Sequence, residues 1–122
     1  MATVVVWTDD GQEAIVDYMD TQTWYQGVGT GATGAAVTDA ALTTEVEGGP
    51  RPTTSDTQPA ANQIQMVGSQ AITGSHALDE AGIFDTNAAG IMHMSATFDI
   101  VNVVSGDTFE GTWQLTFKDN SE

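Results

Sequence analysis

Apolar and polar residues alternate with a period of two along much of this chain, most cleanly near its end. From 107 to 118, Phe109, Gly111, Trp113, Leu115 and Phe117 fall on one row, and Thr108, Glu110, Thr112, Gln114 and Thr116 on the other. That is the pattern of a strand with one face on a core. A second clean strand is predicted over 91–103, with Met92, Met94, Ala96, Phe98 and Ile100 on one row. Ser105, Gly106 and Asp107 lie between the two, so the pair reads as an antiparallel hairpin.

Upstream, Ile64, Met66, Gly68, Gln70 and Ile72 alternate with polar or small residues, giving a weakly amphipathic strand, and the mixed period of 76–84 predicts a strand bent or bulged at Gly82. The β-branched run at 2–7, ATVVVW, predicts a short strand. Thr8 or Asp9 can cap a helix over 10–20, whose stripe is Ala14, Ile15, Tyr18 and Met19, with Asp10 and Glu13 near its positive end.

The segment GVGTGATGAA reads as a glycine-rich loop, and 38–41 as a possible turn of helix before the chain drifts toward a strand. The loop lacks the Lys of a phosphate-binding Walker motif, so a structural role is expected. Residues 48–61 hold all three prolines and predict an exposed Pro/Thr-rich loop. Six or seven strands without alternating helices imply a mainly β fold, an antiparallel β-sandwich or jelly-roll-like domain with one short N-terminal helix. The 122 residues make one such domain, with 1–24 as its N-terminal strand and helix.

Charge changes this picture most. Seventeen Asp and Glu stand against one Arg and one Lys, a formal net charge of −15. Phosphate recognition needs clustered cations, and Arg51 and Lys118 are far apart, so nucleic acid and anionic membrane are excluded as partners. The 40% hydrophobic content with strong strand periodicity argues against disorder. The acidity fits a protein adapted to concentrated salt, where screening shortens to ~3 Å and self-repulsion becomes tolerable. No apolar run approaches a membrane span, and the start carries no basic region of a secretory signal.

Candidate chemistry is sparse. With no cysteine, disulfides and thiolate metal sites are impossible. His76 and His93 are the only imidazoles; His93 and Asp99 on one strand would stand roughly 20 Å apart. Asp79 and Glu80 are adjacent in a strand and so cannot act as an acid and base pair by themselves. None of the serines lies in a Gly-x-Ser-x-Gly turn, and no calcium-loop spacing occurs. Trp113, Phe109, Phe117, Phe98 and Phe84 fall on core rows, whereas Trp7, Trp24 and Tyr25 lie near segment ends. The sequence therefore assigns no catalytic, cofactor-binding or metal-ligating residue.

The order GVGTGATGAAVTDAALTTEV, a Pro/Thr-rich stretch, then DEAGIFDTNAAGIMHMSATFDIVNVVSGDTFEGTWQLTF resembles a family of small virion-associated proteins of tailed double-stranded DNA viruses. The resemblance spans about 25 to 118. Glu80-Ala81-Gly82-Ile83-Phe84 match the family's Glu-Ala-Gly turn, Gly90-Ile91-Met92 its glycine and methionine pair, and Gly106-Asp107 with Thr112-Trp113 its terminal hairpin. Met94 stands where the family often has Arg, which fits a relative adapted to salt. The resemblance implies a non-enzymatic virion structural protein, a capsid-surface decoration or turret subunit, assembled in the host cytoplasm. Its implied partners are further copies of itself and the major capsid protein. A tail or baseplate component is the near alternative, and a glycan-binding receptor module using Trp24, Tyr25 or the 48–61 loop is another.

Overall fold

A computed structural model describes residues 3, 5–47 and 50–117. Thr8 caps the first element, α1 (Asp9–Asp20), its side chain accepting from Gly11 N–H. Seven strands follow: β1 (Tyr25–Thr30), β2 (Thr44–Val46), β3 (Thr54–Thr57), β4 (Gln63–Ala71), β5 (His76–Phe84), β6 (Met92–Val103) and β7 (Thr108–Thr116). They form two antiparallel sheets, a four-stranded one in the order β2-β1-β5-β6 and a three-stranded one in the order β3-β4-β7.

The fold is mainly β and sandwich-like, as the alternating pattern requires. Its core lies between the sheets, with α1 at one end: Val16 and Trp24 pack with Ile64, Met66 and Ile83, and Val28, Leu78, Ala81 and Val103 pack with Ile72. Ile64, Met66, Gly68 and Gln70 of β4 all point inward, as the alternation requires.

Several expectations are corrected. Residues 5–7 are in no strand, and positions 1, 2 and 4 lie outside the described residues. The buried face of α1 is Gln12, Ile15, Val16 and Met19, a register of i, i+3, i+4 and i+7; Ala14 and Tyr18 face solvent. Polar Gln12 sits on that face because its amide donates to the Trp7 carbonyl at 3.1 Å. At 38–41 there is only the end of a turn, closed by Asp39, whose carboxylate accepts from Ala36 N–H.

The glycine-rich segment is not a loop throughout, because 25–30 is strand β1, with Gln26, Gly27, Val28 and Gly29 buried. Its glycines are demanded by what lies across them. A Cβ at Gly27 would stand 2.8 Å from the Glu45 carboxylate, and one at Gly29 2.6 Å from the Thr44 carbonyl. The supposed loop at 48–61 contains β3. There the Pro52 carbonyl accepts from Gln26 N–H, Tyr25 bridges to Thr53, and Thr54 N–H donates to the Trp24 carbonyl. These contacts take the place beside the start of β1 that short β2 leaves vacant.

Gly82 is not the site of irregularity. It pairs regularly with Gly27 and Ser95, and the register shifts flank it, between Leu78 and Glu80 and between Ile83 and Phe84. Phe84 is buried, but on the face of its sheet opposite the core, beneath Arg51.

The largest correction concerns the terminal hairpin, because β6 and β7 do not pair. A turn through Gly106 (φ +96°) carries the chain from one sheet to the other. Asp107 holds it with a carboxylate accepting from Val104 N–H, and Gly106 N–H donates to the Ile72 carbonyl. The partner of β7 is β4, in an unbroken register from Gln63↔Thr116 to Ala71↔Thr108. Alternation along a strand states which side chains go inward and is silent on which strand lies beside it, since both registers satisfy the same period. The two strands meet instead through the core, with Phe98 and Phe109 stacked at 5.6 Å.

Candidate assembly surface

Most ionisable side chains in specific contacts hold loops in place. Arg51, the only arginine, donates from Nε and Nη2 to both oxygens of Glu45 at 2.7 and 2.8 Å, and from Nη1 to the carbonyls of Thr86 and Ala89. Its guanidinium lies 3.6 Å from the centroid of Phe84, and only 9% of the side chain is exposed. The group best suited to bind a phosphate is thereby committed to tying β2 to the 85–90 turn. Asp79 and Glu80 also anchor backbone, accepting from Ala32 N–H and Thr44 N–H at the two ends of the 31–43 excursion.

The histidines occupy separate places. His76 lies 3.2 Å from Glu47, whose carboxylate also accepts from Thr73 N–H, Thr73 Oγ1 and Gly74 N–H. The Thr73 hydroxyl and then its N–H hold the Glu47 carboxyl below its ordinary range. Glu47 itself sits at φ +58°, which aims its side chain at the β4–β5 turn. His93 lies 3.4 Å from Asp85 and edge-on to Trp24, and the bond from Ile91 N–H is the first cause of the lowered Asp85 carboxyl. Burial pushes the Asp56 carboxyl up, against a 2.6 Å bond from the Thr54 hydroxyl. Among the described residues, no group of three or more His, Asp and Glu could hold a metal ion.

A concavity of about 330 Å³ is an open groove between the 35–39 segment and the start of β6, lined by Ala35, Val37, Asp39, Met92, His93 and Met94. Trp24, named from sequence as a sugar-stacking residue, is buried at 6% exposure, its indole N–H donating to the Met19 carbonyl at 2.8 Å. It offers no ring face to a glycan. Tyr25 is half-buried at the bridge to Thr53.

What the fold does present is sheet edges, and its four edge strands are built differently. An open edge offers unpaired backbone donors and acceptors to any other strand, and proteins blunt it with short length, charge, proline or bulges. Strand β2 has three residues including Glu45, and β3 four including Asp56. Strand β6 is longer but twice bulged: Leu78 pairs with Val101 and Glu80 with Thr97, so Asp79 alone faces Phe98, Asp99 and Ile100, and His93 is skipped between Met94 and Met92. Strand β7 runs nine residues without bulge or proline and carries one charge, Glu110. On its far side it has no partner among the described residues.

The inner row of β7 is only half-buried. Phe109, Trp113 and Leu115 sit at the rim of the core, and Phe117 just beyond the strand contacts the Trp7 ring at 5.9 Å. Trp113 is fixed from the opposite sheet by fully buried Gln26, which accepts from the indole N–H at 2.7 Å and donates to the Gly68 carbonyl at 3.2 Å. Little in the sequence points to Gln26, a lone amide beside glycines. Its only signal is a polar residue between Tyr25 and Gly27, two positions before Val28, in a segment that turns out to be strand.

No protein-family model matches the chain, and no curated protein matches it in sequence.

Proposed function

We propose that the chain is a non-enzymatic virion structural protein, a capsid-surface decoration or turret subunit of a tailed virus that works by assembly with copies of itself and with the major capsid protein. The observation that carries this reading is the edge of β7, without a partner among the described residues, nine residues long, unbulged and bordered by half-buried aromatic residues. In an isolated monomer such an edge is a liability; in an assembling subunit it is the interface. The resemblance of the motif order to small virion proteins favours a particle, and the −15 charge favours concentrated salt as the medium of assembly.

A cryo-EM map of particles from the virus that encodes this sequence tests the proposal. Density for the sandwich on the head surface or at its vertices is the expected result. Density or immunogold label confined to the tail would overturn the capsid placement in favour of a tail or baseplate component, and a particle lacking the chain altogether would overturn the virion role.

A further inference from the structure

We propose that two copies of the chain pair antiparallel along β7, about a two-fold axis passing between their two Thr112 residues. The inference rests on the reading of the chain as an assembling subunit and names the edge, the partner and the register.

The partner follows from the edges. Strand β7 is the one edge of the four that is neither short nor bulged, with a single charge over nine residues, and the chemical complement of a long edge unpaired among the described residues is another strand of the same length. A second copy supplies that strand at equal length. Joining two copies gives a six-stranded sheet in the order β3-β4-β7-β7-β4-β3, whose outer edges are both the four-residue β3 with its Asp56. Pairing therefore removes the open edges and leaves short, charged ones, so association closes as a dimer instead of propagating.

The register follows from symmetry and charge. A two-fold axis between antiparallel edges stands perpendicular to the sheet, so opposed residues point to the same face and the axis passes midway between one residue and its own copy. Centred on Thr112, all nine residues of β7 find a partner. Thr108 opposes Thr116, Phe109 opposes Leu115, Glu110 opposes Gln114, and Gly111 opposes Trp113. Both Phe109–Leu115 contacts extend the half-buried inner row across the junction. The single carboxylate of each strand faces an amide that can donate to it, whereas centring on Glu110 would set two carboxylates against each other. For partners that each carry a net charge of −15, a junction without like-charge contacts is the one that can form.

The chain has no cysteine, so one introduced thiol reports on the axis directly. Thr112 is exposed on the outer row, and Thr112→Cys on each copy would meet its own symmetry mate within disulfide reach. In molar salt under mild oxidation, Thr112→Cys should give a covalent dimer in high yield, while Gln114→Cys and Thr116→Cys, each opposed to a different residue, should stay uncoupled. Gln114→Glu, which sets Glu110 against a second carboxylate at both ends of the junction, should weaken the native dimer at least tenfold by light scattering. Circular dichroism of each variant checks that the fold is kept. A light-scattering dimer or larger oligomer whose Thr112→Cys form does not couple, or couples no better than Gln114→Cys, overturns the β7 pairing and leaves the assembling-subunit reading standing. A species that is monomeric at every salt concentration overturns both.

Discussion

The Trp113 indole N–H donates to Oε1 of Gln26, 87 residues earlier and on the other sheet, at 2.7 Å. Gln26 is fully buried and Trp113 half-buried at the rim, so the amide holds the ring against the opposite sheet from inside the core. Replacing Gln26 with Leu would keep the volume but leave the indole N–H without its acceptor, while the Gly68 carbonyl stays in the β4–β7 ladder opposite Gly111. An unsatisfied buried polar group costs about 1–3 kcal/mol. Gln26→Leu is expected to lower stability by about 1–3 kcal/mol on that basis, measured as the shift in urea midpoint at constant slope. A loss no larger than that of a control on the outer row of β4, such as Gln65→Leu, would show that the amide bridge is not the tie between the sheets.

Arg51 joins two carboxylate bonds, two carbonyl bonds and an aromatic face in one nearly buried group. Lysine keeps the charge but offers a point donor in place of a planar fork. Arg51→Lys should therefore destabilise by about 1.5–3 kcal/mol, the range for hydrogen bonds to charged groups. A double-mutant cycle with Glu45→Gln should return a coupling well above the few tenths typical of exposed pairs. Near-zero coupling would mean that the carbonyl bonds and Phe84 carry the clamp without Glu45.

The strands were legible in the sequence where one face is buried and the other wet. β4 and β7 show this best, since Ile64, Met66, Phe109, Trp113 and Leu115 recur at every second position. Pairing partners were not legible, because β6 and β7 satisfy the same period whether they pair with each other or with β5 and β4. β1 was hidden for a different reason. Its glycines usually mark loops, and the need for them comes from Glu45 and Glu80, residues distant in sequence whose side chains lie across the strand. Strand β3, TSDT, has no apolar row at all and is recruited by hydrogen bonds from β4 and from the start of β1. The open edge of β7 could be guessed as a strand from its pattern, but its lack of a neighbour is a property of the topology.

Glu47 gives a pH dependence of definite sign. Its carboxyl is held below the ordinary value of 4.5 by Thr73 and Gly74, so the folded state binds its proton less readily than the unfolded chain does. The stabilisation is fully present above the ordinary carboxylate range and is lost as pH falls through the depressed folded value. Asp85 acts in the same sense below its ordinary 3.8, whereas raised Asp56 acts in the opposite one. Comparing urea unfolding of the wild type with Glu47→Gln isolates the Glu47 share. The variant should be less stable at pH 7, with the gap narrowing as pH falls below the ordinary 4.5 and the native carboxylate protonates. A gap of constant size from pH 7 to pH 3 would assign the effect to side-chain shape.

Asp20 concentrates the cost of the acidic surface at one point. It ends α1, where the helix dipole is negative, no basic residue occupies the last turn, and its charge helps push up the nearby Asp56 carboxyl. Low salt leaves these repulsions unscreened over ~10 Å, while molar salt cuts the range to ~3 Å. The wild type should therefore melt at a higher temperature in 1 M than in 0.1 M KCl. Asp20→Asn should gain about 0.3–1 kcal/mol in dilute buffer, and much of that gain should disappear at the higher salt. Equal gains at both concentrations would trace the effect to helix propensity at position 20. A melting temperature that does not rise with salt in the wild type would count against adaptation of this fold to a saline medium, because a surface of −15 without salt dependence has found its relief elsewhere.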